Sequence, residues 1–129
     1  MGMLILCFII AYLIVIRPRY IMYKDSTYIA ASGNSFINTI FNKGSYGEFL
    51  TYYKLEKLSG YNKLLTNLYI PKEDGSTTEI DLVMMSKTGI YVFESKNYSG
   101  WIFGSESQRN WTQTFPNNKK FRFYNPISY

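Results

Sequence analysis

The chain opens on an unbroken apolar run, Met3 to Ile16 (MLILCFIIAYLIVI), with no polar position on any side. A surface helix would break such a run every three or four residues, so the pattern predicts a helix with no water-facing side. With Met1 and Gly2 it spans about 24 Å at ~1.5 Å per residue, against ~30 Å of bilayer hydrocarbon. The RPRYIMY that follows is mixed and extends the span if its arginines snorkel toward headgroups. Periodicity then lapses. Tyr20 to Lys43, with AASGNS in its middle, reads as a stalk carrying a short amphipathic helix near Ser35 to Phe41. In Gly44 to Gly60 it returns with helical spacing, through Phe49, Tyr52, Tyr53, Leu55 and Leu58, and Gly60 is a natural stop.

Beyond Gly60 the period changes to that of strands. Asn62 to Ile70 is predicted as one strand, closed by Pro71 and the turn-like Glu73-Asp74-Gly75-Ser76. Thr77 to Ser86 is a second and Gly89 to Asn97 a third, with only Lys87 and Thr88 between them, a tight hairpin. After Gly100 come the short pieces WIFG, WTQTF and FRF, punctuated by Pro116-Asn117-Asn118 and Asn125-Pro126. One helix followed by an antiparallel meander predicts an α/β (mixed α+β) fold. Leu82, Met84, Tyr91 and Phe93 fall on one face of the hairpin and Val83, Met85, Ile90 and Val92 on the other, so cover is expected on both.

Composition narrows the chemistry. The 129 residues contain no histidine, which excludes His-ligated zinc, Ser-His-Asp triads and Cys-His pairs. Cys7 is the lone cysteine, so no internal disulfide exists. A metal here is held by oxygen, which favours Mg²⁺, Mn²⁺ or Ca²⁺. The net charge is +5, but the part from Gly44 onward has ten basic against eight acidic residues and is only mildly basic. Arg17, Arg19, Lys24 and Lys43 against Asp25 place +3 just after the apolar run. That arrangement disfavours a cleaved signal peptide, which wants a basic segment before the run and a small-residue site after it. It favours a single-pass anchor, contacting the bilayer through residues 3–16, with the rest of the chain in the cytoplasm. A buried core helix is the competing reading, and Arg-Pro-Arg immediately after the run argues against it. The expected layout is an anchor over 1–20, a stalk over 21–43 and a domain over 44–129.

The hairpin holds the sharpest signal. With Lys87-Thr88 as the loop, Ser86 faces Gly89 and Asp81 falls directly opposite Glu94, while Lys96 shares Glu94's face two residues on. A loop at Thr88-Gly89 would set Asp81 against Lys96 instead, and an odd-length loop would separate the faces. Two facing carboxylates in an apolar hairpin repel unless a cation lies between them, and a divalent ion meets that need.

Gly47-Glu48, Glu79-Ile80-Asp81, Glu94-Ser95-Lys96-Asn97, Gly100, Trp111 and Asn125-Pro126, in that order, resemble the nuclease-related domain (NERD) family of the PD-(D/E)xK nuclease superfamily. The resemblance covers about Gly44 to Tyr129 and implies a restriction-endonuclease-like core. It implies metal-dependent phosphodiester hydrolysis on DNA or RNA, with Asp81, Glu94 and the Ser95 carbonyl as ligands of Mg²⁺ or Mn²⁺. Lys96 would position or activate water, and Glu48 would complete the acidic set. Trp111 and Gln113 look like the family's W-x-Q. The family pattern usually continues past Asn125-Pro126, so a fragment or a shortened protein is expected. A catalytically inactive module binding nucleic acid or protein at the membrane is the alternative, and an interaction domain without nucleic acid is a third reading.

Each site residue also has a plainer explanation. Ser45-x-x-Glu48 fits a capping box, which would make Glu48 a helix-end residue. Asp81, Glu94 and Lys96 taken singly are ordinary surface charges, and Glu79 is a strand-end charge or an auxiliary ligand. Lys119, Lys120 and Arg122, interleaved with Phe121, Phe123 and Tyr124, form a polar loop and strand or a backbone-binding patch. Trp101 and Trp111 read as core, and Gly100 and Gly104 as turn glycines, since no phosphate-loop spacing exists.

Overall fold

The computed structural model describes residues 1–127, which divide into two compact units, Met1–Ser95 and Lys96 onward. In the first, α1 (Gly2–Ala11), a π-helical turn (Tyr12–Ile16) and α2 (Arg17–Lys24) form one rod over Gly2–Lys24. Pro18 explains the π turn. Its nitrogen has no proton for the carbonyl of Ile14 and its ring crowds that carbonyl, and one wider turn relieves both. Its most apolar 18 residues have a mean hydropathy of 2.0, and the rod is long and apolar enough to cross a membrane.

Residues 21–43, expected as a stalk, fold into helices that build the core. Tyr23 near the end of α2 and Tyr28 at the start of α3 (Tyr28–Ser32) are both buried. They cluster with Phe49 and Tyr52 of α5 (Lys43–Glu56) and with Leu82. Four edge-on or tilted ring contacts, 5.4 to 5.9 Å between centroids, join Tyr23, Tyr28, Phe49 and Tyr52 to one another and Tyr23 to Phe36. Such contacts strengthen burial by favourable quadrupole geometry. Between α3 and α5 lies α4 (Phe36–Phe41), capped by the Ser35 side chain, which accepts from the Asn38 amide at 3.3 Å. This is the short helix expected at Ser35 to Phe41.

Three antiparallel strands in the order β1-β2-β3 complete the unit: β1 (Asn62–Pro71), β2 (Thr77–Ser86) and β3 (Gly89–Phe93). The hairpin loop is Lys87-Thr88, and Ser86 pairs with Gly89 as the spacing predicts. The third strand is shorter than expected, because regular pairing stops at Leu82 and Phe93 and residues 94–97 leave the ladder. The Leu82 face packs on the aromatic core. On the other face Val83 is buried while Ile90 and Val92 are open, so the expected two-sided cover reaches only the inner strands.

The second unit is another three-stranded antiparallel meander, β4 (Trp101–Phe103), β5 (Asn110–Thr114) and β6 (Lys120–Tyr124). Side-chain amides do much of the organising. Asn125 is buried and its Nδ2 donates to the carbonyls of Ser105, Glu106 and Gln108 at 3.4, 3.0 and 2.9 Å. Gln113 Nε2 donates to the Ser99 carbonyl at 2.7 Å, and Trp111 Nε1 to the Ser105 carbonyl at 3.0 Å. The whole is a mixed α+β chain with an N-terminal apolar helix, consistent with a restriction-endonuclease-like fold.

Candidate active site

Asp81 sits on β2 next to buried Leu82, one step past the last paired residues of the hairpin. Glu94 follows Phe93, the last paired residue of β3, at the point where the ladder ends. There the Ser95 amide donates to Asp81 Oδ2 at 2.9 Å. A backbone N–H bonded to a carboxylate is a charge-assisted contact, stronger than a neutral one. It ties the Glu94-Ser95 segment to the end of β2 where the ladder no longer does. Asp81, Glu94 and Ser95 are half-buried. Lys96 follows directly in the chain, is exposed, and opens the second unit.

Glu48 lies on α5. The Asn42 side chain caps that helix, accepting from the Ser45 amide at 3.0 Å, so Ser45 is not the N-cap and the capping-box reading of Glu48 is corrected. The helix starts earlier than Ser45 because Asn42, in extended conformation, satisfies the free amide three residues on. Glu48 instead lies in the second turn, four residues before buried Tyr52, on the side that faces the core.

Tyr28 connects the two carboxylates. Its pKa is raised, first by burial of the phenol and further by the negative charges of Glu48 and Asp81, while a hydrogen bond from Asn34 Nδ2 at 3.2 Å works the other way. Both carboxylates therefore lie within electrostatic reach of one hydroxyl and help to hold its proton. The sequence gives no hint of this role, because Tyr28 falls in a segment without periodicity.

A second unanticipated residue is Asn67. It stands opposite Asp81 in the β1–β2 register, the pairing skips this one position, and Asn67 has φ 53°. Asn tolerates this left-handed conformation better than most residues, and an Asn inside a strand pattern was the available signal. Its Nδ2 donates to the Ser32 carbonyl at 3.3 Å, and Thr66 Oγ1 donates to that of Ala31 at 2.9 Å, so β1 is pinned to the C-terminal end of α3 beside Tyr28.

Glu79 is turned to another purpose. It pairs across the sheet with Tyr69, whose hydroxyl donates to Glu79 Oε1 at 3.1 Å. The second unit's motif residues are mostly architectural. Gly100 has φ +82°, and a Cβ there would lie 2.4 Å from the Thr114 carbonyl oxygen. At Gly104 a Cβ would lie 2.2 Å from the Trp111 ring, so this glycine permits close contact with the indole and is not a turn residue. Trp111 is half-buried, but Trp101 is 58% exposed and does not join a core among the described residues.

Among the described residues no three acidic, histidine or cysteine side chains gather as a metal cage. What is present, two half-buried carboxylates and the backbone oxygens beside them, is an oxygen donor set of the kind that suits a hard divalent cation retaining several waters.

The sequence profile of the nuclease-related domain (NERD) matches residues 43–129. The chain belongs to this family. NERD proteins fall within the PD-(D/E)xK-like nuclease superfamily, whose members are generally dependent on divalent metal. This NERD chain is also similar to an uncharacterized protein of Bacillus anthracis, 44% identical over 86 residues, which is 66% of this chain and 40% of that protein. The match thus spans less than half the length of that relative. No solved structure matches the chain significantly.

Proposed function

We propose that this NERD domain hydrolyses phosphodiester bonds of DNA or RNA with a divalent metal, held at the cell membrane by its N-terminal helix with the domain in the cytoplasm. The observation that carries the reading is the Ser95 amide bond to Asp81, which keeps the Glu94-Ser95 segment beside the carboxylate of β2. Asp81 through its other oxygen, Glu94 and the Ser95 carbonyl would hold Mg²⁺ or Mn²⁺. The ion would supply a bound water of lowered pKa and neutralise charge on the phosphoryl group. Lys96 would orient the attacking water and balance the charge that grows on phosphate oxygens. Glu48 would complete the acidic set.

The test is a nuclease assay on the full chain in detergent or nanodiscs with Mg²⁺ and both DNA and RNA. Asp81→Asn and Glu94→Gln are each expected to reduce cleavage about a hundredfold or more. Absence of cleavage by a folded, metal-loaded wild type, or full activity of Asp81→Asn, would sink the proposal. The absence of a three-carboxylate cluster among the described residues favours a second reading, a binding module without turnover. Its mark would be salt-sensitive nucleic-acid binding that a chelator leaves unchanged.

A further inference from the structure

Helix α4 buries one side and opens the other. Thr39 and Ile40 are buried, whereas Ile37 is 66% and Phe41 75% exposed, four residues apart and thus on one face. The position of this face along the rod is informative. Phe36 of α4 packs edge-on against Tyr20 of α2, with centroids 5.1 Å apart. A span that begins at Gly2 uses about 20 residues to cross the hydrocarbon, which brings its far boundary to about Tyr20–Ile21. Helix α4 therefore meets the rod at the level where hydrocarbon gives way to headgroups.

The surroundings of Ile37 and Phe41 suit that level. They line a groove of about 410 Å³ together with Asn34, Asn38, Asn42 and Ser45, so apolar carbons alternate with amides and a hydroxyl. The acyl–headgroup boundary offers partners to both. Arg17, Arg19 and Lys24 lie in the last turns of the rod, with the Arg19 guanidinium 4.9 Å above the Tyr46 ring. Asp25, the one acid between Arg17 and Lys43, is held by Lys57 at 2.7 Å. The local charge is positive and complements an anionic leaflet.

We infer that the Ile37–Phe41 face of α4 rests in the headgroup layer of the membrane that takes the N-terminal helix, a second and shallow contact that fixes the domain's orientation. It rests on the reading of that helix as an anchor, and one experiment separates the two. The full chain is reconstituted in phosphatidylcholine–phosphatidylglycerol vesicles with an environment-sensitive fluorophore on a single cysteine. The positions are native Cys7 or, in a Cys7→Ser background, Ile37→Cys, Phe41→Cys and, as a control, the exposed hairpin-loop variant Lys87→Cys. Nitroxide lipids carrying the quencher near the headgroup or deep in the acyl chains report depth.

The expected result is deep quenching at Cys7, shallow quenching at positions 37 and 41 about twofold or more above that at position 87, and none beyond background at 87. Deep quenching at Cys7 with positions 37 and 41 no different from 87 overturns the inference and leaves the anchor standing. An unquenched Cys7 overturns both.

Discussion

The two units are held together by different means. In Met1–Ser95 the aromatic rings of Tyr23, Tyr28, Phe49 and Tyr52 pack into one buried cluster with Leu82. In the part from Lys96 onward, Trp101, Phe103, Phe121 and Tyr124 are exposed, and buried side-chain amides secure the loops. The difference sorts the family motif. Gly100, Trp111, Gln113 and Asn125 serve the architecture of the second unit, while in the first the Ser95 amide ties Asp81 of β2 to the segment that carries Glu94. An ordered set of motif residues is thus not one site.

The contrast is directly testable, because both tryptophans lie in the second unit and all helices in the first. Helical circular dichroism reads one and tryptophan fluorescence the other. The largest effect is expected for Phe49→Ala, which removes a fully buried ring touching four others. A loss of about 3–5 kcal/mol is expected in denaturant unfolding of the full chain in detergent, seen by circular dichroism. Asn125→Ala strips the donors from three carbonyls and should cost about 1–3 kcal/mol, seen first in tryptophan fluorescence. Coincident transitions by both probes in every variant would dissolve the comparison into one cooperative unit.

A smaller effect concerns alkali. The pKa of Tyr28 is raised in the folded chain, so the unfolded chain loses this proton first. Stability from this group is intact below the ordinary value of 10.0 and falls as pH rises from there through the folded value. Tyr28→Phe should flatten the decline of stability above pH 10.0 relative to wild type, measured by denaturant unfolding at stepped pH. The smallest effect is expected for Phe103→Ser, within about 0.5 kcal/mol by fluorescence-detected unfolding, since its ring is exposed. A loss as large as that of Asn125→Ala would mean that the exposed aromatics of the second unit do hold it together.

Local patterns were legible in the sequence where one physical cause dominated. The two-residue loop set the hairpin register from Ser86–Gly89 to Leu82–Phe93, and the ladder stops one pair short of the expected Asp81–Glu94. The helical stripe located Phe49 and Tyr52. What escaped was decided by distant partners. Residues 21–43 lack period because Tyr23 and Tyr28 are buried from short helices, each contributing one ring, and no stripe forms. The cap of α5 was misplaced by three residues because Asn42 and Ser45 are both good caps, and only the extended backbone at Asn42 decides between them. Trp101 was assigned to a core on residue type alone, which says nothing of the face that a three-residue strand turns outward.

The rod that starts at Gly2 does not end in a linker. Tyr23, one residue from its end, is buried among the rings of the core, and its hydroxyl donates to the Asn34 carbonyl at 2.6 Å. A domain on a flexible leash samples a volume set by the length of that leash. A domain whose core includes the last turn of its own shaft has no such freedom: tilting the shaft turns the first unit by the same angle. The bearing of Asp81 on β2 is then set by how the shaft stands, and a change in the tilt of that helix would be felt there as rotation rather than slack.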